Sequence, residues 1–243
     1  MSNRTPDPNI ERREIDTQEG YDLWAPSYDA TDNPVVAIDE HVLAEVLASA
    51  DGRLGGQLVV DAGCGTGRHI GRLADSAQSV LGLDFSAGML AQARSRWSHL
   101  PQVSFRQQDL SVTPFAHLND STSDGILCSL VGEHITDLVA LFVEFRRILK
   151  PGGRLVFSVY HPQLALQGKA ANFRASATGD QASVEYRLGA TAHLVSDYVN
   201  AMRDAGFTLG LLREVLVTPP LCEAIPAAAT LAGNPALLVF TGD

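Results

Sequence analysis

A glycine-rich turn follows an apolar run in the stretch VVDAGCGTGRH, residues 59–69. Gly63, Gly65 and Gly67 stand at alternate positions, shortly after Asp61. Glycine lets the backbone turn sharply and lets a ligand approach the N–H groups without meeting a Cβ atom. The pattern therefore predicts that a small molecule lies close to this turn, at the carboxyl end of a buried strand.

The spacing of the glycines bears on the kind of ligand. The dinucleotide fingerprint of dehydrogenases, G-x-G-x-x-G, needs a glycine where this chain has Arg68. A methyl donor such as S-adenosylmethionine has no pyrophosphate to place on a helix N-terminus, and a tight turn beside its amino-acid and ribose moieties suits it better. The turn therefore favours a methyl donor over a nicotinamide dinucleotide.

Acidic residues close the next two predicted strands. Asp84 ends SVLGLDF, where a carboxylate can accept hydrogen bonds from both hydroxyls of a ribose. Asp109 ends the third strand in RQQDL, where it can accept from an exocyclic adenine amine. The fourth strand runs into CSLVGEH and brings Leu130 and His134 to the same crevice. Each Asp alone is equally typical of a turn, but acids at three consecutive strand ends favour a nucleoside ligand.

The elements that must position these residues alternate along the chain. The apolar strands QLVVDAG, SVLGLDF, VSFRQQDL, SDGILCSLV and RLVFSVYH are separated by helical segments, one of them capped by Ser86 and another ended by KPGG. Such alternation predicts a mostly parallel sheet with helices on both faces. We expect a single domain over 1–243, with a helical lid (20–50), a cofactor-binding core (57–160), an acceptor-site insertion (161–195), and a C-terminal helix with the last two strands (196–243).

These motifs together resemble the class I S-adenosylmethionine-dependent methyltransferases, particularly the small-molecule branch that includes ubiquinone- and biotin-pathway enzymes. The matching stretches are VVDAGCGTGRH, LGLDFSAGML, QQDL, DGILCSLVGEHI and RRILKPGGRLVFSVYHP. The resemblance implies a three-layer, Rossmann-like, doubly wound α/β fold. Its seven-stranded, mostly parallel sheet would have the last strand inserted antiparallel between its neighbours.

The resemblance also implies which residues hold S-adenosylmethionine, whose product is S-adenosylhomocysteine. Asp61 and the three glycines would surround the methionine moiety, Asp84 would hold the ribose, and Leu130 would lie under the sulfonium. The other implied contacts are to the adenine, and they come from Phe85, Met89, Asp109 and Leu110.

Three aromatic residues near the N-terminus have helical spacing. Tyr21, Trp24 and Tyr28 are placed i, i+3, i+7, so a helix would put them on one face, although Pro26 limits its regularity unless a helix begins there. Such a face is commonly core. The resemblance favours a lid that excludes water. In that lid we expect Tyr28 to contact the cofactor and Tyr21 and Trp24 to contact the substrate, with Trp24 placed to face either ligand.

Methyl transfer needs an aligned nucleophile and a dry site, and it needs a base only if the nucleophile must lose a proton. His134 and His161 follow the fourth and fifth strands and are the candidate catalytic residues, although each is equally typical of a structural hydrogen bond. Glu133 either orients His134 or points to solvent. The long segment 161–195 lacks strong periodicity and is expected to bind the acceptor through Tyr186 and His193.

Composition narrows the class of protein. The formal net charge of −10 argues against nucleic acid as a partner. An apolar leader and a run of about 18 apolar residues are both missing from the sequence, which argues against secretion and membrane insertion and favours the cytoplasm. The three cysteines form no CxxC pair, and the histidines show no metal-ligand spacing, so we expect no metal. A monomer or a homodimer is expected.

The sequence therefore predicts an enzyme that transfers the methyl group of S-adenosylmethionine to an O, N or C atom of a small molecule in bacterial primary or secondary metabolism. The alternative is a protein of the same fold that binds S-adenosylmethionine without methyl transfer, either as a regulatory module or as a cyclase-type enzyme.

Overall fold

The computed structural model describes residues 11–115, 117–175 and 184–243. Its strands are β1 (Glu11–Ile15), β2 (Gly56–Ala62), β3 (Ala77–Asp84), β4 (Val103–Gln107), β5 (Ser123–Ser129), β6 (Leu149–Tyr160), β7 (Asn172–Ala175), β8 (Val184–Leu188), β9 (Leu209–Leu216) and β10 (Pro235–Gly242). Its α-helices are α1 (Thr17–Trp24), α2 (Pro34–Ala48), α3 (Ile70–Ala74), α4 (Ala87–Trp97), α5 (Leu138–Ile148), α6 (Pro162–Leu166), α7 (Val195–Asp204) and α8 (Pro219–Ala224). Short 3₁₀ helices cover Ala25–Ala30, Gly132–His134 and Pro226–Leu231.

Within the described residues, seven strands form the main sheet in the order β4-β3-β2-β5-β6-β10-β9. The pairs from β4 to β6 are parallel, and β10 runs antiparallel to both β6 and β9. This is the predicted doubly wound, Rossmann-like sheet, with its last strand inserted antiparallel between its neighbours. The fold class expected from the sequence is confirmed. The order reverses between β2 and β5, and ligands bind in the crevice at such a point.

Alternate side chains of the strands pack against helices on opposite faces of the sheet, as the pleat requires. On one face, Val60, Ile126 and Phe157 pack with apolar residues of α5 and α7. On the other face, Val59, Leu127 and Val156 pack with apolar residues of α2 and α3. Because the central strands are buried on both faces, their carboxyl ends are held rigidly at one edge of the sheet.

A second, smaller sheet covers part of that edge. Its order is β1-β8-β7, with β1 parallel to β8 and β7 antiparallel to it. β7 and β8 come from the predicted acceptor-site insertion, of which residues 176–183 lie outside the described residues, as do residues 1–10 of the predicted domain. We call this three-stranded sheet the roof.

The predicted helical lid begins as an α-helix and tightens at its end. Asp16 caps α1 by accepting hydrogen bonds from the N–H groups of Gln18 and Glu19. The chain then changes to 3₁₀ geometry at Ala25, with Pro26 in the first turn, where its missing N–H has no helical partner to lose. None of the helices in the described ranges is long and apolar enough to cross a lipid bilayer.

Candidate active site

Three glycines shape the turn after β2, and each has its own physical reason. All have positive φ angles, of +78° at Gly63, +54° at Gly65 and +79° at Gly67. A Cβ atom at Gly63 would lie 2.2 Å from a methyl carbon of Val131, and one at Gly67 would lie 2.8 Å from the indole nitrogen of Trp97. A Cβ atom at Gly65 would meet no protein atom within 4 Å. Gly65 therefore borders open space.

That space is a cavity of about 220 Å³ at the ends of β2, β3, β4 and β5, which we call the first cavity. Most of the predicted cofactor residues line it. They are Tyr28, Gly63, Gly65, Asp84, Phe85, Met89, Asp109, Leu110 and Leu130. Asp61 and Gly67 are not part of this lining. The structure thus brings together, from four strand ends and the N-terminal helices, residues that are far apart in the sequence.

Two buried carboxylates lie beside the glycine turn. Asp84 accepts hydrogen bonds from the N–H groups of Gly65 at 2.8 Å and Ser86 at 2.9 Å. Asp61 is 1% exposed, and its Oδ2 atom has no hydrogen-bond partner among the described residues. Burial raises the pKa of each carboxyl group to about 6. A buried oxygen without a partner is the kind of atom that a bound ammonium or hydroxyl group satisfies.

Asp109, by contrast, is exposed and shapes the end of its strand. Its Oδ1 atom accepts hydrogen bonds from the N–H of Ser111 at 2.8 Å and from the hydroxyl of Ser111 at 2.7 Å. This turn presents the buried side chain of Leu110 to the first cavity.

Arg68 brings a positive charge to the first cavity. It stands where the dinucleotide fingerprint would need glycine, and its side chain lines the cavity. Its Nη1 atom has no hydrogen-bond partner in the described part of the chain and lies 3.5 Å from Oδ2 of Asp39. A guanidinium at a cavity wall can bind a ligand carboxylate in addition to its buried counter-ion.

Asp39 is fully buried and holds several elements together beneath the site. It accepts hydrogen bonds from the hydroxyls of Ser129 at 2.7 Å and Ser158 at 2.5 Å, and Nε2 of His69 lies 3.3 Å from its Oδ2. Burial by itself would raise the pKa of Asp39, but the hydrogen bond from His69 and the charge of Arg68 outweigh it, so the pKa is lowered. The sequence gives no sign of this role for Asp39, because a lone acid in an amphipathic helix carries no distinguishing signal.

A second cavity, of about 760 Å³, adjoins the first. Tyr21, Tyr28 and Leu130 line both, so the two cavities meet at these side chains. Leu130 has a φ of +54°, a left-handed conformation that residues other than glycine rarely adopt. Strained residues of this kind concentrate at functional sites.

Aromatic side chains line the second cavity together with charged ones. The aromatic residues are Tyr21, Trp24, Tyr28 and Tyr160, and the charged residues are Arg12, Arg13, Glu14, Asp32, Glu133, Lys169, Glu185 and Arg187. Trp24 is buried and stacks on Phe173 of the roof, with ring centroids 4.9 Å apart. The roof therefore closes over the aromatic part of the cavity.

His134 connects the N-terminal helix to the segment that follows the roof. Its Nδ1 lies 3.0 Å from the carbonyl oxygen of Gly189, and its Nε2 lies 3.0 Å from the hydroxyl of Tyr21. Because a carbonyl only accepts, Nδ1 carries the proton and Nε2 accepts from Tyr21. Burial lowers the pKa of His134 to about 4. We call these two contacts of the His134 ring the clasp. Because Tyr21 occupies Nε2 in the clasp, His134 can take a proton from a substrate only after Tyr21 moves away.

The remaining predicted residues lie outside the lining of both cavities. His161 caps α6 through Nδ1, and its Nε2 lies 2.9 Å from a carboxylate oxygen of Glu214. His193 contacts the carbonyl oxygen of Ile135 at 2.6 Å. Tyr186 stacks on Phe173 in the roof, with centroids 5.4 Å apart. Their predicted roles in catalysis and substrate binding stay predictions.

Comparison with known proteins agrees with this geometry. Residues 60–157 match the family model described as a methyltransferase domain. The chain is 30% identical over 155 residues to a demethylmenaquinone methyltransferase from Renibacterium salmoninarum, covering 63% of each chain. It is 33% identical over 147 residues to a 2-phytyl-1,4-naphtoquinone methyltransferase from Thermosynechococcus vestitus, covering 59% of this chain and 64% of that one. The chain thus spans just under two thirds of the length of these quinone methyltransferases.

A solved structure shares the fold. An S-adenosylmethionine-dependent methyltransferase from Mesorhizobium loti matches with a TM-score of 0.64 and 25% identity, over 83% of this chain and 95% of that one. Its match extends well beyond residues 60–157 and takes in most of the described elements. Family model, relatives and fold together identify residues 60–157 as a methyltransferase domain of the class I, S-adenosylmethionine-dependent family.

Proposed function

We propose that this protein transfers the methyl group of S-adenosylmethionine to a small-molecule acceptor. The observation that carries the proposal is the meeting of two cavities at Tyr21, Tyr28 and Leu130. The family's cofactor supplies a methyl group that its sulfonium has already activated. The protein must therefore align the acceptor and keep water out.

The first cavity fits the cofactor in charge and shape. The bare backbone at Gly65 allows close approach of the ligand. Asp61 lies behind the glycine turn and outside the cavity lining, and its unpartnered Oδ2 suits the ligand's ammonium group if that group reaches past the turn. The positive charge of Arg68, which lines this cavity, suits the ligand's carboxylate, and Asp84 suits its ribose hydroxyls. Phe85, Met89, Asp109 and Leu110 then form the adenine side of the cavity.

The second cavity is proposed to hold the acceptor. Its four aromatic residues favour an acceptor with a flat ring, since aromatic side chains stack on rings, and its charged residues favour polar groups on that ring. The relatives named above act on a demethylmenaquinone and a phytylated naphthoquinone, and we propose an aromatic acceptor of comparable chemistry here. We further propose a monomer or homodimer without nucleic acid, in the cytoplasm, where its three free cysteines would stay reduced.

Incubation with S-adenosylmethionine labelled on its methyl group tests this function directly. The acceptor panel should include naphthols, a reduced naphthoquinone, aromatic amines and aromatic thiols. We expect label in one of these products and equimolar S-adenosylhomocysteine. Tight S-adenosylhomocysteine binding without turnover across the panel would contradict methyl transfer and favour a protein that only binds the cofactor.

Cofactor affinity should depend on pH because of Asp61 and Asp84. Both have a pKa of about 6 in the ligand-free protein, and the ligand groups proposed above bind the ionised carboxylates. Lowering the pH from 7 to 5 should therefore weaken S-adenosylhomocysteine binding by about 10-fold for each carboxylate that must lose its proton. Calorimetric titration over this range measures the effect. Asp61→Asn should bind less tightly and show a shallower pH dependence, and equal slopes for both proteins would contradict the assignment.

The ligand-free protein should show the opposite dependence in its stability. The pKa of each carboxyl group is higher in the folded protein than in the unfolded chain, so folding favours the protonated form. The contribution of these two groups to the free energy of unfolding should therefore be highest at low pH and should fall as the pH rises from about 4 to about 6. Thermal melts with and without ligand separate the two trends, since saturating ligand should remove this loss.

The clasp should hold the N-terminal helix over the first cavity. Tyr21→Phe removes the hydroxyl that donates to His134 and leaves a buried ring nitrogen without a partner, at a cost of about 1–3 kcal/mol. We expect faster amide hydrogen exchange in residues 17–30 with little change in the central strands. Tyr186→Phe, which alters a roof tyrosine outside both cavities, is the matched control, and equal exchange in both variants would argue against the clasp.

A further inference from the structure

Glu133 lines the second cavity and has one carboxylate oxygen that is buried without a partner among the described residues. It lies in the 3₁₀ helix Gly132–His134, three residues after the strained Leu130. Its Oε2 atom is buried and has no hydrogen-bond partner in residues 11–115, 117–175 and 184–243. A buried carboxylate oxygen is costly to leave without a partner unless a ligand supplies one.

The surroundings of Glu133 hold hydroxyl groups and carboxylates. Its charge acts on Tyr21 and Tyr28 from the N-terminal segment, on Tyr160 of β6 and on Tyr198 of α7. Its charge also acts on the thiol of Cys128 in β5, and the charge that acts on Glu133 in return is that of Asp39 in α2. Burial raises the pKa of Glu133 to about 7, a hydrogen bond from its own backbone N–H opposes this shift, and the charge of Asp39 adds to it. At neutral pH such a group can both take up and release a proton.

The other titratable candidates are less available. His134 is held in the clasp, with both ring nitrogens occupied. His161 lies outside the lining of both cavities and is bonded to Glu214. Among Glu133, His134 and His161, only Glu133 both lines the second cavity and has a buried atom without a partner in the described residues.

We propose that Glu133 removes the proton from the acceptor and that the acceptor is therefore an aromatic hydroxyl compound. This rests on the proposed function. As the acceptor oxygen forms its bond to the methyl carbon, the carbon–sulfur bond breaks with its electron pair going to sulfur, and the hydroxyl proton moves to the carboxylate of Glu133. The acceptor leaves as a neutral methyl ether, and the carboxylic acid later returns its proton to water.

The test compares Glu133→Gln with wild type on two acceptors of the same ring, 2-naphthol and 2-naphthalenethiol. The thiol ionises in solution at pH 8 and needs no base, whereas the naphthol does. Loss of a general base typically costs 10²–10⁴-fold. We expect about that loss in kcat/KM for naphthol and a change of less than about threefold for the thiol. Wild-type kcat/KM for naphthol should rise through about pH 7, and this limb should be absent in Glu133→Gln.

A matched control and a second readout keep the outcomes separate. Glu223→Gln alters an exposed glutamate of α8 outside both cavities, and it should behave as wild type. In protein with ¹³C-labelled glutamate carboxyls, the resonance lost in Glu133→Gln should titrate near pH 7. It should also shift when 2-naphthol is added to the complex with S-adenosylhomocysteine.

Three results would overturn the proposed role of Glu133. Undiminished naphthol methylation in Glu133→Gln would overturn the proposal, and so would a Glu133 resonance that naphthol leaves unchanged. Equal loss with the thiol and the naphthol would also overturn it, because that pattern indicates a structural role. If the wild type methylates no acceptor, the proposed function fails, but the resonance shift still decides whether Glu133 contacts a bound hydroxyl compound.

Discussion

Replacing Gly65 by alanine should weaken cofactor binding by about 5- to 150-fold while the protein stays folded. The new Cβ atom would meet no protein atom within 4 Å and would project into the space that borders the first cavity. Overpacking a close contact costs about 1–3 kcal/mol, which is about 5- to 150-fold in affinity. Calorimetric titration with S-adenosylhomocysteine measures this loss.

Backbone strain must be separated from loss of the ligand contact. Alanine at a φ of +54° costs about 1–2 kcal/mol, whether or not a ligand binds there. Gly152 provides the matched control, because it has a φ of +75° and a Cβ atom there would likewise meet nothing within 4 Å, yet it lies in the turn within β6, away from both cavities. We expect both variants to lose a few degrees of melting temperature and only Gly65→Ala to lose affinity. Equal affinity in the two variants would show that Gly65 does not border the bound ligand.

The central strands β2 and β3 could be predicted because each carries two agreeing signals. Apolar residues fill the body of the strand, and a glycine or an acid marks its carboxyl end, as in the run that ends at Asp61 and the one that ends at Asp84. Parallel pairing then brings these ends to one edge, so residues distant in the sequence become neighbours in the first cavity.

The roof strand β1 could not be predicted from the pattern of apolar residues. Its sequence, ERREI, is charged, and four of its five residues are exposed. It joins β8 through backbone hydrogen bonds, which any sequence can make, and ion pairs such as Arg12 with Glu185 add little at an exposed position. Hydrophobic periodicity therefore gives no indication of this strand.

The direction of side chains explains why some predicted site residues do not line the second cavity. Tyr160, the last residue of β6, lines the second cavity, whereas His161 follows the strand as the N-cap of α6 and its ring is held by Gln163 and Glu214. Successive residues of a 3₁₀ helix differ by about 120°, so Glu133 and His134 also diverge. The sequence identified the right segments, but a one-residue difference in direction decides which side chain meets a ligand.

Removing the buried carboxylate of Asp39 should have the largest effect on stability. Asp39→Ala would leave the guanidinium of Arg68 without its counter-ion and two buried serine hydroxyls without their acceptor. Breaking a buried ion pair by removing one partner costs about 3–5 kcal/mol. For a protein of this size that corresponds to a fall of about 6–20 °C in melting temperature. Differential scanning calorimetry measures it.

Asp204→Ala is the matched control, because Asp204 forms an ion pair with Arg203 at an exposed position. The melting temperature of this variant should differ from that of the wild type by no more than about 2 °C. Asp39→Asn keeps the shape and one acceptor oxygen, so it should fall between the two. The effect should also reach the first cavity, because Asp39 joins α2 to Ser129 at the end of β5 and Ser158 in β6 and lies beside Arg68. A wild-type melting temperature for Asp39→Ala would mean that the ion pair and its hydrogen bonds contribute nothing net, and that apolar packing alone positions the strand ends.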